Sequence, residues 1–292
     1  MKNTKLREFL KYLKRFPTFR HLSKSRLSLI GLGIVLFFLF IAILAPFLPK
    51  NNPYKLNLGE KLQPPSQKFP LGTDVYGRCI YSRIISGAQV TLASSFIIVS
   101  ISMFVGSIVG VFSGFIGGRF DASFSRIVDG MMSFPPLILA IALTGALGPG
   151  LQNAMIALTI TYIPHFIRIG RSQALSIKQE LFIEAAVASG LSNIRILIFH
   201  MLPNCLGPPI IQGTLYLGRA IIEVASLGFL GFGAQPPLAE WGADVALGVA
   251  VLREAPWVAA FPGLFILIPV LGFNLLGDGL IEILHPRLRE RR

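Results

Sequence analysis

The sequence predicts an all-α membrane protein with six transmembrane helices, and three observations carry that prediction. Of its 292 residues, 53% are hydrophobic and 14% charged, with a mean hydropathy of +0.65, too apolar for a soluble domain that must cover its surface with polar groups. The apolar residues fall in runs of about twenty, the length that crosses a hydrocarbon core of about 30 Å at about 1.5 Å per residue. The net charge of +13 lies mostly in flanks and loops.

Residues 1–26 form a basic cytoplasmic tail carrying Lys2, Lys5, Arg7, Lys11, Lys14, Arg15, Arg20, Lys24 and Arg26. Bases beside apolar spans anchor a chain on the cytoplasmic side, against anionic lipid. No basic strip interleaved with exposed aromatics points to nucleic acid. Residues 27–48 are the first transmembrane helix: the run is uncharged, ends at Pro49-Lys50 and lacks the small-residue cleavage pattern of a signal peptide. Residues 49–89 then form an extracytoplasmic loop, although Lys50, Lys55, Lys61, Lys68, Arg78 and Arg83 pull the other way. The N-terminal tail is denser in charge and closer to its helix, so it sets the orientation.

Residues 90–284 make a five-helix core with spans at 90–116, 131–147, 154–169, 206–227 and 258–280. Gly148-Pro149-Gly150 divides the uncharged tract 130–167 into a helical hairpin, because that tripeptide does not continue a helix. Gly106, Gly110 and Gly114 recur every four residues, a spacing that lets helix backbones approach closely in lipid, either as static packing or as a sliding surface. Pro135-Pro136 and Pro208-Pro209 are kinks or breaks near helix ends. An even number of crossings returns residues 285–292, rich in arginine, to the cytoplasm. Cys79 and Cys205 then fall on opposite sides of the membrane and form no disulfide.

The polar interruption 172–204 is amphipathic. Ser176 to Gln179 has capping-box spacing and opens a short helix with Ile183, Ala186 and Val187 on one apolar stripe. Gly190 ends it, and Ser192 or Asn193 caps a second helix carrying Ile194, Leu197 and Ile198. The product is a helical elbow. Small Ala185 and Ala186 allow close docking, and Glu184 offers one charge.

Glu184-Ala185-Ala186-x-x-x-Gly190, followed by His200-Met201-Leu202-Pro203-Asn204, resembles the coupling loop of bacterial ABC importer permeases, with the His-x-Leu-Pro-Asn ending of their peptide and nickel branch. From about residue 71 onward the resemblance covers most of the chain. Leu71 to Arg78 and Ser82-Arg83 are similar to the branch's outer segment, with Cys79 where an aspartate is usual. Gly231 to Pro237 and Glu240-Trp241-Gly242 resemble its outer loop after the fifth span, and Phe273 to Leu280 with Pro286-Arg287-Leu288 its last helix.

The resemblance implies the type I ABC importer permease fold and a membrane subunit that pairs with a second homologous permease. Two ATP-binding subunits and an extracytoplasmic substrate-binding protein complete the assembly. It makes Glu184, Ala185, Ala186, Gly190, His200, Leu202 and Pro203 the ATPase-coupling segment, His200 being positional rather than catalytic. Gln235, Pro236, Glu240 and Trp241 are candidates for outer docking or gating, with an interfacial tryptophan belt as the alternative reading of Trp241. Glu223, spaced i, i+4 from Arg219, and Asn274 are candidates for the translocation path, a structural ion pair facing the bundle being the simpler reading of Arg219 and Glu223. Di- or oligopeptides are the implied cargo, with nickel complexes or glutathione as alternatives inside the family.

Other chemistries are excluded by absence from the sequence. No Gly-Lys dipeptide occurs, so no phosphate-cradling loop is available and the chain hydrolyses no ATP itself. His21, His165, His200 and His285 are scattered, no metal-ligand spacing or nucleophile elbow is present, and no cofactor is implied. Driving a two-state carrier from one face to the other takes about 5.5 kcal/mol of differential binding. That energy enters from a partner ATPase or, in a competing reading as an ion-coupled secondary transporter, from mid-membrane ionisable groups, which are few here.

Overall fold

The computed structural model describes residues 25–48 and 51–284; the basic segments 1–24 and 285–292 lie outside the described residues. Among the described residues eleven α-helices follow in order: α1 Arg26–Leu44, α2 Ile80–Ile116, α3 Gly118–Met132, α4 Pro136–Leu147, α5 Leu151–Ile177, α6 Leu181–Ala188, α7 Asn193–Ile196, α8 Leu202–Cys205, α9 Gly207–Phe229, α10 Trp241–Val249 and α11 Trp257–Leu284. Among the described residues there is no β-strand. Four helices, α1, α2, α9 and α11, are long and apolar enough to cross a membrane, and the bent pair α3–α4 makes a fifth if counted as one broken span. The expected count of six is therefore not reached by this criterion, because α4 has only 12 residues and α5 carries Arg168 and Arg171 in its last turns.

Three boundaries differ from expectation, each for a physical reason. Helix α2 starts at Ile80, ten residues ahead of the expected Val90, and its 37 residues reach about 55 Å, well beyond a hydrocarbon core. Arg83 does not stop it, because its guanidinium is neutralised inside the protein. The expected span 131–147 breaks at Ser133–Pro135. Residues ahead of a proline avoid the helical region, and the chain turns by 87° between amphipathic α3 and α4. Helix α5 runs on to Ile177, its hydrogen bonding continued by Lys178 N–H to Ala174 O at 2.9 Å, so the Ser176 capping box is not a helix start. Pro208 and Pro209 sit in the first turn of α9, where the missing N–H is tolerated.

Helices α2 and α5 form the backbone of the bundle. A Cβ at Gly106 would lie 2.6 Å from Phe166 Cβ and 2.7 Å from Ile163 O, and one at Gly110 would overlap Ile167 O. From the opposite helix, a Cβ at Gly170 would stand 2.6 Å from Ser107 O. The glycine stripe thus sets an approach that no larger side chain fits. Tyr162, Phe166, Leu158 and Ile98 pack between these two helices and α9, while α1, α10 and α11 close the other side through Phe38, Trp241, Val270 and Phe273. Large apolar side chains such as Phe37, Phe40, Ile43, Phe96 and Phe104 remain on the outside, as a lipid solvent permits.

Candidate coupling and translocation sites

The elbow is built from residue 178 to 206 at the C-terminal end of α2. Helix α6 ends in a complete Schellman motif: Gly190 N–H donates to Val187 O (3.0 Å) and Leu191 N–H to Ala186 O (3.3 Å). This geometry needs the left-handed backbone that Gly190 adopts, with φ of +75°. Leu191 packs against the same cluster as Ala186, the apolar contact that accompanies such caps. Beyond α7 the chain widens to a π-turn over Leu197–Met201, where Leu202 N–H reaches back to Leu197 O. Pro203 explains the turn, since it has no N–H and its ring crowds the carbonyl four residues earlier.

One face of the elbow is locked into the bundle. Ile183, Ala186, Ile196, Met201 and Cys205 are buried with Val111 of α2 and Ala174 of α5, and Phe115, Ile177 and Leu202 pack around them. Lys178 Nζ donates to Phe115 O at 2.8 Å, occupying a carbonyl in the last turn of α2. Two expected stripes are corrected here: Val187 points out rather than in, and Ile194 and Ile198 are exposed while Ile196 and Met201 fill the core. In the 3.6-residue period, register at an irregular joint is decided by the Gly190 turn and the π-turn. The opposite face is free, with Glu184, Ala185, Leu181, Val187 and Ile194 exposed. His200 is half-buried, accepts at its carbonyl from Asn204 Nδ2 (2.6 Å) and holds no catalytic geometry; Pro203 is exposed.

At the other end of α2 lies a buried polar assembly that sequence reading did not foresee. Arg83 donates from Nε and Nη2 to Asp244 Oδ1 (2.9 and 2.5 Å), from Nη1 to the carbonyls of Pro53 and Pro237, and from Nη2 to that of Leu238. Asp74 accepts from Arg78 Nε at 2.6 Å. One arginine therefore ties the loop 51–79, the segment 235–240 and α10 to α2. Glu240 and Trp241 belong to this assembly rather than to an exposed docking surface, and both side chains are fully buried. Glu240 caps α10, accepting from Gly242 N and Ala243 N (both 2.9 Å) and from Thr91 Oγ1 (3.2 Å). Burial pushes its carboxyl up to about 7, against the pull of those donors. Trp241 Nε1 donates to Ile84 O at 2.9 Å. Gln235 and Pro236 do face outward, Gln235 Nε2 donating to Gly231 O and Gly233 O. Helix α10 itself was missed, its signal being the acidic cap Glu240 ahead of a short apolar run. Cys79 and Cys205 are buried free thiols at opposite ends of the bundle.

Midway along α9, Arg219 Nε donates to Glu223 Oε1 at 2.8 Å. Glu223 is buried and Arg219 is 42% exposed, so of the two it is the arginine that reaches the surface. Asn274, on α11, is exposed and lies beside Gly218, the residue before Arg219. Among the described residues no group of three metal-binding side chains occurs.

The chain matches the family described as binding-protein-dependent transport system inner membrane component over residues 106–290, and the N-terminal membrane domain of oligopeptide transport permease C over residues 12–65. It belongs to that first family: it is a multi-pass inner-membrane component of a transport system, and not itself an enzyme. It is 44% identical to the dipeptide transport system permease protein DppC of Alkalihalophilus pseudofirmus, covering 93% of this chain and 89% of that one. A probable D,D-dipeptide transport system permease protein of Escherichia coli, DdpC, is 42% identical over 91% of this chain and 89% of its own. In fold, it is similar to an inward-facing MetNI methionine ABC transporter structure, with a TM-score of 0.57 and 23% identity, covering 68% of this chain and 94% of that one.

Proposed function

We propose that this chain is one of two different permease subunits of an ATP-driven importer of di- or oligopeptides. The partners are a homologous permease, two ATP-binding subunits on the cytoplasmic side and an extracytoplasmic binding protein that delivers the cargo. Both termini and the elbow are cytoplasmic. The observation that carries this reading is the two-faced elbow: Glu184 and Ala185 are presented outward while Ile183, Ala186 and Lys178 are fixed to α2 and α5. A push on the free face moves those helices as a body, because the joint between elbow and bundle is apolar, buried and capped. Gln235 and Pro236 supply the exposed part of the outer loop for the binding protein, and Glu240, Trp241 and Arg83 hold that loop in shape.

Copurification from the native membrane tests the assembly: ATP-binding subunits are expected to accompany the chain. Reconstituted vesicles then test energy and cargo together. Labelled dipeptide uptake is expected to need ATP and to be competed by unlabelled peptides but not by nickel complexes or glutathione. Uptake that persists without any ATPase and collapses with the proton gradient contradicts the proposal.

A further inference from the structure

A guanidinium half-exposed at the middle of a membrane-crossing helix does not face hydrocarbon, where a charge is costly; it meets either water in a path or a neighbouring protein group. Arg219 is the thirteenth of the 23 residues of α9 and is 42% exposed. Its Nε is taken by buried Glu223, and among the described residues no acceptor is bonded to its two terminal nitrogens. The ring of buried Tyr216 lies 5.8 Å from its guanidinium carbon and supports the side chain from the bundle side. What remains presented is the end-on fork of two N–H donors that fits a carboxylate in two-point fashion.

The surroundings also point to a ligand. Glu223 Oε2 and Tyr162 Oη are buried close to one another, with no well-formed hydrogen bond to either, so the carboxylate that holds Arg219 Nε is itself fixed inside the bundle. On the same stripe of α9, Ile222, Ser226 and Phe229 line a groove of about 390 Å³ shared with α4, α10 and α11, of the order of a small-ligand site. A charged fork about one turn along α9 from an apolar groove that begins at Ile222 suits a short peptide: carboxylate on the arginine, side chains along the groove. We infer that Arg219 binds the terminal carboxylate of the cargo peptide during passage, with Glu223 as the positioning residue that turns its fork outward. This rests on the peptide-importer reading. A carboxylate of the partner permease has the same chemistry, and the test separates the two.

In proteoliposomes holding the complete importer, dipeptide uptake by the unaltered complex first establishes the importer reading itself. Arg219→Gln is expected to lower that uptake about tenfold or more, the scale of one lost charge-assisted hydrogen-bond pair, while Arg219→Lys retains part of it. In Arg219→Cys, a water-soluble aminoethyl methanethiosulfonate is expected to modify residue 219 and restore uptake, and the negatively charged sulfonatoethyl reagent to modify it without restoring. In the unaltered complex the C-terminal amide of the same peptide is expected to be carried poorly, and Arg219→Gln to lower the uptake of that amide no further. Recovery by a re-added positive charge separates a binding defect from misfolding. Undiminished uptake in Arg219→Gln overturns the inference. So does a residue 219 that stays unreactive in the assembled complex, which assigns Arg219 to the interface with the partner permease.

Discussion

Gly190 is the residue on which the elbow's shape turns. Its φ of +75° is a conformation that costs an L-residue with a side chain about 1–2 kcal/mol, yet nothing lies within 4 Å of where a Cβ would stand. Strain without steric clash predicts a local effect: Gly190→Val is expected to leave membrane insertion and abundance intact while abolishing ATP-dependent uptake. Immunoblotting of membranes beside a transport assay checks both halves. Gly110 behaves oppositely, because a side chain there runs into the backbone of α5 at Ile167 and Arg171. Gly110→Leu is expected to deplete folded protein from the membrane, read as faster proteolysis. Both glycines were legible in the sequence, the first from its place after Glu-Ala-Ala and the second from a four-residue period, since each signal is local in the chain.

At the scale of elements, the outer assembly shows what local signals leave out. Arg83 and Asp244 are 161 residues apart in sequence, yet meet at 2.5–2.9 Å with both side chains buried. Read alone, Arg83 is one more base in a loop; only the folded chain brings it to a carboxylate and three carbonyls. For the same reason α2 begins ten residues early and α10 escaped notice. Removing one partner leaves an uncompensated buried charge, so Arg83→Ala is expected to destabilise the protein by about 3–5 kcal/mol. Replacing both, as Arg83→Met with Asp244→Leu, is expected to recover only part of that loss, because it removes the unpaired charge but leaves the carbonyls of Pro53, Pro237 and Leu238 without their donor. Thermal unfolding in detergent of the two single variants and the double variant checks this. At the other end, the π-turn before Pro203 and the Schellman turn at Gly190 displaced the expected stripes by inserting irregular steps into a regular period.

Across the whole molecule, α2 joins these two ends as one rod, with the elbow packed on Val111 and Phe115 and the outer loops tied to Arg83. The elbow and the Arg83 assembly are thus attached to opposite ends of one helix, and α5 packs along it through the glycine-lined contact. The number of crossings was less legible than the class of protein, because α4 is short and α5 is mixed in polarity, so hydropathy alone does not decide which of them spans. The central claim is that the exposed face of the elbow is driven by an ATP-binding partner. Site-directed cross-linking from Ala185→Cys in the assembled importer tests it most directly. The account predicts a cross-link to an ATP-binding subunit that changes in yield when ATP is bound; a residue 185 labelled only by reagent from the extracytoplasmic side, or one that cross-links to no ATP-binding subunit, contradicts it.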